Sequence, residues 1–284
     1  MIVLPPEPTQ EIAHALERHG LKPRTITLVS PLRERKGRRW AYRVETEDGR
    51  LVKARQFENR EVASQVFTLR TGLEDAFAPA LARYGPVLIE AWIDGVPLAE
   101  LAWDAWEDAG ALLGRLHAHP LGTDAPSTLP TRKWHDGAHS DLNLLRDTGA
   151  LTDREVASLR AEIEQRDPVT ARAAIIHMDF CADNMLIDVH GRLRIIDNEQ
   201  VAIAPIGFDL GRTFHLWPMP DAAWVRFRTG YESSAPAPPD ALGFWRIVAT
   251  LVGARVFQHR SPVQFDASLA LLRRFVAGQY LSDP

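Results

Sequence analysis

The chain has 284 residues, 45% of them hydrophobic and 25% charged, a formal net charge of −4 and one cysteine, which is enough for one large or two modest domains with an ample core. No apolar run reaches the about 18 residues of a membrane helix, the start MIVLPPEPTQ lacks a basic and apolar leader, and Lys and Arg are scattered rather than striped. A membrane span, secretion and a nucleic-acid partner are therefore not expected, and the lone Cys181, with no disulfide partner, fits a reducing, cytoplasmic setting.

Along the chain, residues 9–19 read as a helix with Thr9 as cap, Glu11 at its positive end and Gly20 as its stop. Residues 25–30 and 40–46 are strand-like. The chain turns at Asp48-Gly49 and returns over 51–57, a hairpin signal. Val62, Val66 and Leu69 give residues 58–71 helical spacing. An apolar strand over 87–93 is closed by Asp94-Gly95. The start of the chain thus predicts an antiparallel sheet with a helix inserted after its third strand.

Beyond Leu98 the texture becomes helical: 103–117, 156–164, 224–231, 241–258 and 265–280 all carry amphipathic or apolar helical patterns. Residues 119–151, rich in Pro, Gly and Asp, predict a loop with little regular structure. Residues 173–197 form a single β-like island, two short strands around a loop. The expected boundary lies at Asp94-Gly95, giving a β-rich lobe 1–94 and a helical lobe 95–284, and a cleft between such lobes is a common ligand site.

The island carries HMDFCADNMLID, residues 177–188, and a second apolar run ending at Asp197. Asp or Asn in a loop is more often a turn former than a ligand. Here, however, His-x-Asp is followed by Asn184 and then by a strand ending in an acid. One carboxylate and one amide oxygen are a normal protein share of a magnesium site, and a carboxylate left off the metal can take a proton from a hydroxyl. That is the ligand set of phosphoryl transfer. A competing reading makes His177, Asp179 and Cys181 transition-metal ligands, although the chain has no CxxC or HExxH to complete a zinc site.

HMDFCADNMLID, GRLRIIDNE and GFDLGR together resemble the signature region of the aminoglycoside phosphotransferase and choline kinase-like family, relatives of the protein kinases. The resemblance implies an α+β, protein kinase-like, two-lobed fold, with an antiparallel β N-lobe bearing one helix and a mainly helical C-lobe. It implies Asp179 as the catalytic aspartate, Asn184 and Asp197 as magnesium ligands, His177 as structural, and Asp209 as a buried brace of the catalytic loop. A kinase-like fold also needs a third-strand lysine on the nucleotide phosphates and a helix acid that fixes it. Lys53 and Glu61 stand in those places, and an ion pair between them is expected. Residues 88–95 resemble the family's hinge, with the backbone at Glu90 to Trp92 against the adenine. Trp92 as a core residue is the alternative.

The sequence departs from the family pattern at Met178, where glycine is usual and an altered loop backbone is expected, and at Asn198-Glu199, which follows Asp197. The phosphate-covering loop, 30–39, has one glycine, Gly37, and five basic residues, Arg33, Arg35, Lys36, Arg38 and Arg39. His117 reads as packed or capping, and Cys181 as a small filler.

The expected function is transfer of the γ-phosphoryl group of ATP or GTP, with Mg2+, to a hydroxyl of a small, possibly cationic acceptor. A catalytically weak nucleotide-binding module is the alternative, disfavoured by Lys53, Asp179, Asn184 and Asp197 all being present. No Ala-Pro-Glu segment of the protein kinases follows Asp197. Asp183, Glu199, Asp221, Asp136 and Asp141 are candidate contacts for a cationic acceptor, and Trp217 and Trp224 for stacking.

Overall fold

The structure, a computed structural model, describes residues 10–29, 40–100, 105–123, 125–235 and 241–280. The expected cap Thr9, Trp103 and the whole basic loop 30–39 lie outside these residues. The chain forms two compact units, Met1–Leu101 with Met185–Gln200, and Ala102–Asn184 with Val201–Pro284.

In the first unit, α1 (Gln10–Arg18) precedes strands β1 (Pro23–Leu28), β2 (Trp40–Thr46) and β3 (Leu51–Gln56). Helix α2 (Arg60–Leu69) follows, begun by the Asn59 side chain accepting the Val62 N–H, and then come β4 (Ala80–Tyr84) and β5 (Val87–Ala91). These strands make a five-stranded antiparallel sheet in the order β1-β2-β3-β5-β4. Its apolar face, Tyr42, Val44, Val52, Ala54 and Ile89, packs on Ile12, Ala15 and Leu16 of α1.

A second sheet of this unit, ordered β10-β9-β6, joins β6 (Gly95–Pro97) to the hairpin β9 (Met185–Asp188) and β10 (Leu193–Ile195). The strands approach so closely at Gly95 that a Cβ there would lie 2.2 Å from the Ile187 carbonyl oxygen, so only glycine fits. Asp188 ties the hairpin turn by accepting the N–H groups of His190 and Arg192, both at 2.9 Å, and pairs with Arg192 and Arg194 at 3.1 Å. Burial alone would push its carboxyl up, but these donors hold it well below the usual carboxylate range.

The second unit is helical around one three-stranded sheet, ordered β11-β8-β7: β7 (Thr128–Pro130), β8 (Thr170–Ile176) and β11 (Ala202–Pro205). Its helices are α3 (Trp106–Ala118), α4 (Arg132–Asp147), α5 (Asp153–Arg166), α6 (Ile206–Leu216), α7 (Asp221–Ser234), α8 (Leu242–Phe257) and α9 (Pro262–Val276). Helix α8 is buried along nearly all its faces, and Leu142, Leu159, Phe208 and Leu272 join it in the core. Helices α3 and α7 meet at glycines, for a Cβ on Gly110 or Gly230 would fall 1.9 Å from the other helix's carbonyl oxygen. Among the described residues no helix is long and apolar enough to cross a membrane.

Two sequence expectations are corrected, and one helix is new. Residues 119–151 are not a loop: α4 fills half of them, with Ala138, Leu142 and Leu145 facing the core and Gly137 tolerated inside the helix. The single β island is split between two sheets, β8 in one and β9 with β10 in the other. Helix α6 was not expected, because Gly207 and Gly211 discourage a helical reading; both face Trp245, where a Cβ would come within 2.1 and 2.4 Å of its atoms.

Candidate active site

In the second unit the chain leaves β8 at Ile176 and runs through residues 177–184, ending in a 3-10 turn, Ala182–Asn184. The loop is braced from within. Asp209, in the first turn of α6 and fully buried, accepts the N–H of His177 at 2.8 Å and that of Met178 at 2.7 Å. Nε2 of His117 lies 3.1 Å from the same carboxylate, and Nδ1 of His117 meets the Tyr231 hydroxyl at 2.8 Å. Burial acts to raise the Asp209 carboxyl, yet His117 and the loop donors outweigh it and hold the group ionised below its ordinary value. The expected brace is present, and His117 is packed, as read.

Met178 has φ +67°. That is the left-handed region which glycine occupies freely and other residues enter at a cost of roughly 1–2 kcal/mol. The chain thus takes at Met178 a backbone region that glycine favours. The Met178 carbonyl oxygen accepts from Arg212 Nε at 3.1 Å, which helps hold the strained residue.

The next residue, Asp179, lies beside two side chains. Asn184 Nδ2 donates to the Asp179 carbonyl oxygen at 2.7 Å and to Oδ2 at 3.3 Å, and Arg212 Nη2 stands 3.6 Å from Oδ1. The NH2 group of Asn184 is thus taken up by Asp179, and Oδ1 is the acceptor atom of that amide. Sequence reasoning missed Arg212. Its signal was position, three residues after Asp209 and so on the same helix face.

Cys181 is half-buried, and this burial, with Asp179 and Asp183 nearby, pushes its thiol up to about 12. At pH 8 that leaves on the order of a thousandfold less thiolate than an ordinary cysteine near 8.5. Native protein should accordingly resist iodoacetamide at pH 8 and react only after unfolding. Rapid labelling of the native chain would contradict this. A protonated thiol is also a poor metal ligand. Among the described residues no three His, Cys, Asp or Glu side chains are grouped to hold a metal, so the transition-metal reading of His177, Asp179 and Cys181 fails.

Lys53, in the middle of β3, is half-buried and donates from Nζ to the Ile196 carbonyl oxygen at 2.9 Å. The expected Lys53–Glu61 ion pair is not formed. Glu61 is exposed, because α2 turns Ala63 and Val66 inward and a residue two before Ala63 falls roughly 200° around the helix. The acid beside Lys53 is Glu90, its cross-strand partner on β5. Glu90 is buried and pairs with Arg70, which follows α2 and is itself buried. The Glu90 side chain is therefore an anchor within this unit. The N–H groups of Ala91 and Trp92 are likewise occupied, by the Pro79 and Leu51 carbonyl oxygens at 2.9 and 3.2 Å. The Trp92 ring is half-buried, with the Arg43 guanidinium 5.4 Å above it.

Burial lowers the Lys53 ammonium to about 8, with Arg55 adding to the effect and Glu90 and Asp197 opposing it. An unfolded lysine titrates near 10.4. Between these values the unfolded chain holds a proton that the folded chain has released, so this group makes the fold more stable as pH rises from about 8 to 10.4. Binding of an anionic phosphate to the ammonium should weaken over the same window. Nucleotide titrations and denaturation midpoints between pH 7 and 10 should therefore move in opposite directions. A nucleotide affinity that stays flat through pH 9.5 would count against phosphate binding by Lys53.

Of the acids considered for a cationic acceptor, Glu199 pairs with Arg55, Asp136 with Arg132 at 2.8 Å and Asp141 with Arg255 at 2.8 Å. Asp183 and Asp221 remain exposed. Trp224 is core, stacked on Phe227, while Trp217 is half-buried against Trp106 with ring centres 4.7 Å apart.

Solved structures share this architecture over nearly the whole chain. A macrolide 2'-phosphotransferase type I is 16% identical, with a TM-score of 0.63, covering 96% of this chain and 99% of that one. A choline kinase from Streptococcus pneumoniae is 13% identical, with a TM-score of 0.67, covering 94% and 98%. A spectinomycin phosphotransferase, in complex with ADP and spectinomycin, is 13% identical, with a TM-score of 0.63, covering 99% and 96%. At such identities the likeness shows the fold, which is protein kinase-like. No curated protein sequence matches the chain. The sequence profile described as the phosphotransferase enzyme family matches residues 53–242, more than half of the chain and the span that runs from Lys53 past Asp209. The chain belongs to that family of phosphotransferase enzymes.

Proposed function

We propose that the protein transfers the γ-phosphoryl group of ATP or GTP to a hydroxyl of a small acceptor, in the cytoplasm. The observation that carries this reading is the braced loop, in which Asp209 fixes the backbone while Asp179 keeps a carboxylate between Asn184 and Arg212. In this reading Asp179 orients the acceptor hydroxyl and takes its proton. Lys53 holds nucleotide phosphates as a point charge. Asn184 and Asp197 are the magnesium ligands, and both supply the hard oxygen donors that ion prefers. Magnesium, when bound, neutralises charge on the phosphates. The chain's own contribution is positioning and electrostatics, with no covalent intermediate on the protein.

The acceptor is a hydroxyl compound of a class named for those structures, a macrolide, spectinomycin or choline. Macrolides, aminoglycosides, amino alcohols and sugars, each assayed for nucleotide consumption and for a product heavier by one phosphoryl group, test the proposal. At least one class should raise consumption tenfold or more above the acceptor-free rate, and Asp179→Asn should abolish the rise. Stimulated consumption without a phosphorylated product would contradict the proposal.

A further inference from the structure

The first unit holds a buried ionic network that the family signature does not describe. Lys53 and Arg55 alternate on β3 and so point to one face of the sheet. Arg55 is 4% exposed. Its Nη2 lies 2.8 Å from Asp197 Oδ1, its Nη1 bonds to Glu199, and its Nε lies 3.9 Å from Glu90 Oε2. Glu90 in turn pairs with Arg70, whose other guanidinium nitrogen donates to the Ala78 carbonyl oxygen. One guanidinium thus joins the acid opposite Lys53 to the two acids that follow β10.

The helix-to-strand pairing is reversed in polarity from the one expected. The cation comes from the end of α2, as Arg70, and the acid comes from the strand, as Glu90. Glu61 takes no part. Asp197 and Glu199, two residues apart, carry like charges that repel unless a cation lies between them. A planar guanidinium is suited to this task, because its several donors address different carboxylates at once and it stays charged when buried. Lysine, a single point charge, cannot hold both.

We propose that Arg55 is the positioning residue of Asp197: it fixes the direction of the carboxylate and holds Glu199 beside it, while Glu90 links this clamp to Lys53. The inference rests on Asp197 being the magnesium ligand and deepens that reading. Arg55 acts through Asp197, so its loss should weaken binding that depends on magnesium and leave magnesium-free nucleotide binding nearly unchanged.

The test is calorimetric titration of ADP into the full-length protein with and without magnesium chloride, for wild type, Arg55→Lys, Arg55→Gln, the double variant Arg55→Gln/Glu199→Gln, and Glu61→Gln. The double variant removes one acid with the cation and so covers the case in which Arg55→Gln alone does not fold. Magnesium should tighten ADP binding to wild type and to Glu61→Gln by the same factor. In Arg55→Lys and the double variant that factor should shrink by tenfold or more, while the magnesium-free affinity moves by less than threefold. A lower melting temperature with the magnesium factor intact would make Arg55 merely structural and overturn the proposal. An equal loss with and without magnesium would make Arg55 a direct phosphate contact and also overturn it. A magnesium factor absent from wild type itself would instead remove the metal-ligand reading of Asp197, and the proposal with it, while leaving Asp179 and phosphoryl transfer untouched.

Discussion

Asp179→Asn is expected to bind nucleotide and magnesium as the wild type does and to turn over about 10²–10⁴-fold more slowly, the range for a lost general base. The change keeps the side chain's shape and an oxygen near Asn184 Nδ2, now 3.3 Å from Oδ2, but removes the proton-accepting charge. It also leaves Arg212, 3.6 Å away, without its carboxylate partner. Asp197→Asn should fail differently. A divalent ion held there would lose a charged oxygen, so magnesium-dependent nucleotide affinity should fall with the rate, and higher magnesium should partly restore it. Nucleotide titrations of the two variants, with and without magnesium, separate the roles. Equal loss of magnesium-dependent binding would make both residues metal ligands, and full activity in Asp179→Asn would end the kinase reading.

Asp209→Ala should show the largest loss of stability. The carboxylate is fully buried and ties together His117 and the N–H groups of His177 and Met178. Removing one partner of a buried charged set leaves the others unsatisfied, at a cost of about 3–5 kcal/mol. The left-handed backbone at Met178 loses one of its restraints as well, so catalysis should fall even below the melting transition. Thermal and urea denaturation, with activity measured well below the transition, check both effects. A variant that melts with the wild type would show that the loop is held by other contacts.

Much of the site was legible in the sequence because its spacing is local. Asp179 and Asn184 share one loop, and the Asp209 brace was readable from its distance to that loop. The long amphipathic helices and the β2–β3 hairpin were legible for the same reason, through periodicity and the Asp48-Gly49 turn. The pairings across the sheet were not. Glu90 lies opposite Lys53 only because β5 enters between β3 and β4, a register that neither strand's own pattern specifies. Glu61 stood in the expected helix, and only the packing of Ala63 and Val66 turned it outward. Nothing in the local pattern singles out Arg55, which meets Asp197 and Glu199 only through the chain that follows β10. Helix α6 was obscured by glycines whose role is tertiary, since Gly207 and Gly211 admit Trp245.

The sheet β10-β9-β6 draws its strands from residues 95–97 and 185–195. During synthesis, β6 therefore leaves the ribosome long before its partner exists. At about 5–20 residues per second the intervening stretch takes several seconds or more to make. Throughout that time the first unit has an unpaired strand edge, and Arg55 lacks two of its three acids, Asp197 and Glu199. A nascent chain arrested before residue 185 should accordingly be more protease-sensitive around Gly95 than one arrested after residue 200, once the tunnel has been cleared.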